Sequence, residues 1–168
     1  MWNREDDFNA EIGEAARKWG IPPAAIKATI AKESGFDPGA RRKDPTATSR
    51  GLMQLIETTA KALGFVPSSF GDDDTRTGGL YDPGVSIELG TKNLAQLRRR
   101  YPGEGWDAIY AAYNSGRVRR NAAGKFINSR GLTTVEDHVV GFRKAADYFG
   151  LDWKERAGPP VPFDPVAD

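Results

Sequence analysis

Apolar side chains recur along this chain at the 3.6-residue spacing of a helix, and no alternating strand-like pattern runs longer than four residues. Phe8, Ile12, Ala15, Ala16 and Trp19 make the first stripe, which Gly20 ends. Pro22-Pro23 opens a second helix, where proline is tolerated in the first turn, with Ile26, Thr29 and Ile30 on one face and a stop at Ser34-Gly35. A polar loop leads to a third helix expected from Gly51, burying Leu52, Leu55, Ile56 and Leu63 up to Gly64. Residues 65–84, with Asp72-Asp73-Asp74, Gly78-Gly79 and Asp82-Pro83-Gly84, read as surface loop. A fourth helix carries Ile87, Gly90, Leu94 and Leu97, and a fifth carries Trp106, Ile109 and Tyr113 before stopping at Asn114-Ser115-Gly116. After a polar loop over 117–132, Thr133-x-x-Glu136 has the signature of a capping box and opens a last helix with Val135, Val139, Phe142, Ala146 and Phe149 inward. The fold class is mainly α: a single domain of about six helices over residues 1–152. A proline-rich C-terminal tail over 153–168 follows, either a docked arm or a linker.

Composition narrows the chemistry. The 168 residues fit one domain and contain no cysteine and a single histidine, His138. Disulfide scaffolds, thiol nucleophiles and cysteine zinc sites are therefore excluded, and a multi-histidine metal site is not expected. We expect no metal and no cofactor. No run approaches the roughly 18 apolar residues of a membrane span, so no membrane insertion is expected. The acidic start of the chain has no apolar core of a secretory signal peptide. A net charge of +1 argues against a nucleic-acid partner. That balance hides an asymmetry. Residues 91–130 hold Lys92, Arg98, Arg99, Arg100, Arg117, Arg119, Arg120, Lys125 and Arg130 against only Glu104 and Asp107. The segment is either a basic face that steers an anionic polymer or a solvated helix end and loop. Carboxylates, amides and phenols remain to do chemistry.

One carboxylate is out of place for a surface residue. Glu33 falls three residues after Ile30 and seven after Ile26, continuing the buried stripe of its helix. It also lies in the last turn, at the negative end of the helix dipole. Burial and that dipole both disfavour ionisation and raise its pKa, which suits a general acid. The alternative is a glutamate turned to solvent at a frayed helix end. In Gly51-Leu52-Met53-Gln54-Leu55, Met53 and Gln54 lie off the expected core face and offer one apolar and one amide contact to a sugar, or are ordinary helix surface. In Ala111-Ala112-Tyr113-Asn114-Ser115-Gly116, Tyr113 can hydrogen-bond and orient a neighbouring carboxyl, and Asn114 can hold a hydroxyl or acetamido group. Core packing and helix capping are the alternatives there.

Taken in order, Glu33-Ser34-Gly35-Phe36-Asp37-Pro38, Ser49-Arg50-Gly51-Leu52-Met53-Gln54-Leu55 and Ala111 to Gly116 closely resemble the soluble lytic transglycosylase family, lysozyme-like enzymes of glycoside hydrolase family 23. The resemblance covers residues 6–150 and includes Asp82-Pro83 and the small Gly90. It implies a lysozyme-like fold with the active-site cleft between the three segments. It also implies cleavage of peptidoglycan glycan strands between N-acetylmuramic acid and N-acetylglucosamine. By this resemblance Glu33 is the catalytic acid and base, with Ser49, Met53, Gln54, Tyr113 and Asn114 around the substrate. A single carboxylate suffices where the substrate's own acetamido group assists, and the product then carries a 1,6-anhydro ring. The enzyme would act on the bacterial cell wall, in the periplasm or outside the cell, as a monomer. A phage endolysin, a virion-associated lysin or a domain of a longer exported protein would each fit a chain without a signal peptide.

Three departures from the family pattern open alternatives. Glu57 stands where the family commonly has proline, the loop before the second motif is longer, and His138 takes the place of a tyrosine. His138 is expected either at the cleft floor, contacting substrate, or as an ordinary core or surface histidine. Goose-type lysozymes, related to this family, hydrolyse with acidic residues flanking the second motif, and Asp44 and Glu57 lie near those places. Water activated by Asp44 or Glu57 is therefore the alternative outcome. A non-catalytic wall-binding or virion structural domain is a second alternative.

Overall fold

The proline pair and the glycine stops divide the chain much as its periodicity predicts. The computed structural model describes residues 2–66 and 79–158. The Asp72-Asp73-Asp74 run, Gly78 and the prolines of the tail lie outside the described residues. Helix α1 (Asn9–Trp19) buries Ile12, Ala15 and Ala16 and ends at Gly20. Helix α2 (Pro23–Ser34) buries Ala25, Ala28 and Ala31 besides Ile26, Thr29 and Ile30, so its apolar face is broader than the stripe of large residues.

A short antiparallel sheet follows, in the order β1 (Arg41–Lys43), β2 (Thr48–Arg50), β3 (Leu55–Ile56). Arg41 pairs with Arg50, Lys43 with Thr48, and Ser49 with Ile56. The helix expected from Gly51 does not form there. Gly51 to Gln54 make a turn, and helix α3 (Glu57–Ala62) begins only after β3. The reason is backbone conformation: Gly51 has φ 79° and Gln54 φ 50°, left-handed values that a right-handed helix cannot contain. Gly51 has no room for a side chain either, because a Cβ would stand 2.3 Å from the Leu80 carbonyl oxygen.

Helix α4 (Pro83–Arg100) is capped by Asp82, whose carboxylate accepts from the Gly84 and Val85 amides at 2.9 and 3.4 Å. Helix α5 (Trp106–Ser115) and helix α6 (Thr134–Tyr148) complete the core. The expected capping box at Thr133 is absent. Glu136 turns instead to the preceding loop, accepting from the Phe126 amide at 3.0 Å and from Arg143 at 2.8 Å. Arg143 also bonds Asp107 at 2.9 Å, so one guanidinium ties α6 to the start of α5. Phe126 is itself buried, with the Arg120 guanidinium over its ring at 4.7 Å.

Helix α2 packs on α6, α5 on α6, and α1 on α4. Their apolar faces form the main core. A second, smaller cluster of Leu55, Ala60, Leu63, Leu80 and Leu89 lies under β3 and α3. Helix α4 serves both, giving Ile87 and Leu94 to the first and Leu89 to the second. Within the tail expected from residue 153, Trp153 packs against the main core and the Ala157 amide donates to the Glu104 carbonyl at 3.0 Å.

Candidate active site

A cleft of about 880 Å³ opens between the end of α2, the small sheet, α4, the end of α5, the 117–132 loop and the start of α6. Glu33, Asp44, Ser49, Gln54, Tyr113, Asn114 and His138 all line it. Residues far apart in the chain are thus gathered as their motifs imply. Met53 and Glu57 are not gathered.

Glu33 sits in the last turn of α2, partly buried, one residue before the end of the helix at Ser34. Desolvation raises its pKa above the ordinary 4.5, against the lowering effects of a hydrogen bond from Tyr110 and the charges of Lys32 and Arg42. Tyr110 donates its hydroxyl to Glu33 Oε1 at 2.8 Å, which leaves Oε2 as the oxygen able to carry and deliver a proton. Burial and then the neighbouring Glu33 charge hold the Tyr110 phenol far above its usual value, so it remains a donor. Its ring lies flat on Phe142, with centroids 4.6 Å apart and planes 4° from parallel.

The sequence pointed to the wrong tyrosine for this bond. Tyr113 lies one turn further along α5 and donates instead to the Met53 carbonyl at 2.6 Å. Both tyrosines occupy the same face of α5, three residues apart, with their rings 6.3 Å apart. That spacing is the signal in the sequence that could have brought Tyr110 forward. Their spacing in the sequence does not decide between them; the tertiary packing does.

Met53 also differs from its expected role. Its side chain is 0% exposed and fills the space over Gly90, where a Cβ would meet its Sδ at 2.3 Å. It reaches the site through its backbone alone: its amide donates to Ser86 Oγ at 3.1 Å while its carbonyl accepts from Tyr113. Ser34 donates to the Leu52 carbonyl at 2.7 Å. The second residue of the first motif therefore fastens the second motif beside Glu33. Gln54 stands in a left-handed conformation, and its amide donates to the Ala40 and Gly51 carbonyls at 3.0 and 2.9 Å. The amide brace accounts for a non-glycine residue held at positive φ in the wall of a cleft.

Of the two further carboxylates, Asp44 lines the cleft and pairs with Arg42 at 3.4 Å. Glu57 pairs with Lys61 in the first turn of α3 and does not line it, because β3 ends where the helix turns its side chain away. His138 lines the cleft from α6, and its pKa is lowered by partial burial, then by the charges of Lys32 and Arg42. Lys32, Arg42, Asn128 and Ser129 line the cleft without having been expected there. They sit in stretches that read only as solvated loop or helix surface.

A small helical domain of lysozyme-like architecture, with one desolvated carboxyl under a tyrosine at the floor of an open cleft, is the class defined by this fold and site. The sequence matches the transglycosylase SLT domain over residues 10–131, and the chain belongs to that family. Among solved structures it is similar to an inactive mutant of lytic transglycosylase Slt from Pseudomonas aeruginosa, with 25% identity and a TM-score of 0.66 over 88% of this chain and 26% of that one. The 70-kDa soluble lytic transglycosylase from Escherichia coli shares the fold at 23% identity and a TM-score of 0.60, over 88% of this chain and 25% of that one. A complex of the 70-kDa soluble lytic transglycosylase with bulgecin A does so at 21% identity and a TM-score of 0.62, over 92% of this chain and 26% of the other. The chain spans about a quarter of the length of these proteins.

Proposed function

We propose that this chain is a peptidoglycan-cleaving lytic transglycosylase that breaks the β-1,4 bond between N-acetylmuramic acid and N-acetylglucosamine. The observation that carries the reading is Glu33: partly buried, pushed above the ordinary carboxylate range, and bonded by Tyr110 through one oxygen only. Membership of the SLT family and the likeness to lytic transglycosylases support it.

The protonated Glu33 delivers its proton to the glycosidic oxygen as the bond from that oxygen to the muramyl C1 breaks. The acetamido oxygen of the muramyl residue closes on C1 from within the substrate. Glu33, now a carboxylate, takes the proton of the muramyl 6-hydroxyl as that oxygen attacks C1 and releases the acetamido group. The ring closes as a 1,6-anhydro sugar, the proton is back on Glu33, and no water is consumed. Tyr110 holds the carboxyl in place and stabilises its ionised form between the two steps. Ser49, Gln54, Asn114 and His138 line the glycan's path, and Tyr113 sets the wall of the cleft through the Met53 carbonyl.

Asp44 keeps the hydrolytic alternative open as a chemical outcome, because it lines the same cleft as Glu33. Its carboxylate pairs there with Arg42. Mass spectrometry of digested peptidoglycan decides between them. Anhydro-muropeptides from the wild type, and none from Glu33→Gln, are expected. Reducing ends alone would establish hydrolysis, and equal clearing of cell walls by both proteins would remove Glu33 from the chemistry. Clearing by neither would leave a wall-binding domain.

A further inference from the structure

Once bond breaking is assigned to Glu33, the cations of the cleft are left without a task. Lys32 immediately precedes Glu33 in α2 and lines the same cleft. Its side chain crosses α6 at Gly141. A Cβ on Gly141 would stand 2.8 Å from Lys32 Cδ, 2.9 Å from Cε and 3.8 Å from Nζ. Glycine weakens a helix interior, and here its bareness is what lets the lysine lie across the helix toward the cleft. Among the described residues no carboxylate stands within 4.0 Å of the Lys32 ammonium. Arg42 reaches the cleft from β1, and its partner there is Asp44, at 3.4 Å and well exposed. Pairs of that kind contribute little and exchange readily for another anion. Lys32 and Arg42 line the same cleft as Glu33 and His138.

We propose that Lys32 and Arg42 form an anion-recognition subsite beside Glu33, which takes a carboxylate borne by the glycan strand. The subsite selects acidic, peptide-substituted glycan over neutral glycan. A compact ammonium and a forked guanidinium together suit a carboxylate, the first as a point charge and the second as a paired donor. The peptide stems of peptidoglycan carry such carboxylates, whereas chitooligosaccharides carry none. The proposal deepens the glycan-cleaving reading and rests on it.

The test measures binding by Glu33→Gln, which leaves the ligand uncut, to two probes of equal sugar count: a peptide-bearing glycan fragment and a neutral chitooligosaccharide. Adding Lys32→Gln should weaken the peptide-bearing fragment about tenfold and leave the neutral one within about twofold. Gly141→Ala in the same background should do likewise, because the new methyl displaces the lysine while favouring the helix. Equal weakening of both probes, or no weakening of either, overturns the subsite. Digestion of cell walls by the wild type runs alongside. Absence of cleavage together with no binding of either probe overturns the glycan-cleaving reading itself, whereas glycan binding indifferent to Lys32 overturns only the subsite.

Discussion

In the proposed mechanism Glu33 meets two opposed demands, protonation for the first step and ionisation for the second, and the groups around it bear on both. Desolvation favours the neutral acid, while Tyr110, Lys32 and Arg42 favour the anion. Because its folded pKa lies above the ordinary 4.5, the native state retains a proton that the unfolded chain gives up, so rising pH through that window costs stability. Glu33→Gln removes the cost, and the glutamine oxygen can still accept from Tyr110. We expect melting curves in which the variant gains nothing below about pH 4. Above that its advantage grows by about 1.4 kcal/mol per pH unit and levels off once the pH has passed the folded pKa. A constant difference across the range would contradict the desolvation account. Tyr110→Phe keeps the ring on Phe142 but removes a hydrogen bond that lowers the Glu33 pKa. The alkaline limb of the rate profile should move to higher pH, with a stability loss of about 1 kcal/mol. A profile that stays in place would show that Tyr110 does not govern the acid. At this scale the sequence was informative about the acid and less so about its partner. Glu33 announced itself by its place on a buried stripe, whereas Tyr110 and Tyr113 share one helix face and only packing separates their roles.

The elements around the cleft are held through unlike devices, and each has its own test. Met53 seated on Gly90 predicts that Gly90→Ala destabilises by about 1–3 kcal/mol, although alanine favours a helix by about 1 kcal/mol in open space. Thermal or denaturant unfolding checks this, and a stabilised variant would mean that Met53 has room to move. The clamp of Glu136, Arg143 and Asp107 fixes the loop that brings Asn128 and Ser129 to the cleft. Glu136→Ala leaves the Phe126 amide and one arm of Arg143 without their acceptor. A loss of about 2 kcal/mol is expected, with a higher KM for cell-wall substrate and a smaller change in kcat. The same glutamate shows why the capping box could not be read from spacing alone: its carboxylate was claimed by a loop amide and an arginine seven residues on. The small sheet was equally hidden. Its strands are two or three residues long, β1 is all charged, and the apolar residues of the 51–56 turn and strand fit a helix pattern as well as they fit their real conformation.

For the whole molecule, the even charge balance resolves into a smaller basic face than the count of cations in residues 91–130 suggests. Arg98 is only 2% exposed and donates to the Gly20 carbonyl, Lys92 donates to the Leu63 carbonyl, and Arg120 is bonded through both nitrogens to Glu104. Arg100 lines the cleft itself. Activity on cell walls should therefore fall as salt rises, through screening of the cations left facing solvent and cleft. A turbidity assay across salt concentrations measures it, and a flat profile would remove those cations from substrate capture. The helical class and the order of the helices were legible because apolar periodicity and glycine stops act locally. The cleft was legible only as a set of motifs, because its shape depends on how α4 supports two separate clusters at once.

The fastening of the 51–54 turn has a consequence for how such a cleft changes over generations. Ser34 and Tyr113 hold carbonyl oxygens of the turn, and Ser86 holds an amide, so these bonds fasten the backbone of the turn rather than its side chains. Replacements at neighbouring cleft-lining positions such as Ser49 or Ile56 leave those three fasteners untouched. Descendants of this chain can thus drift in what the cleft accepts while inheriting the same distance between Glu33 and the cleft wall.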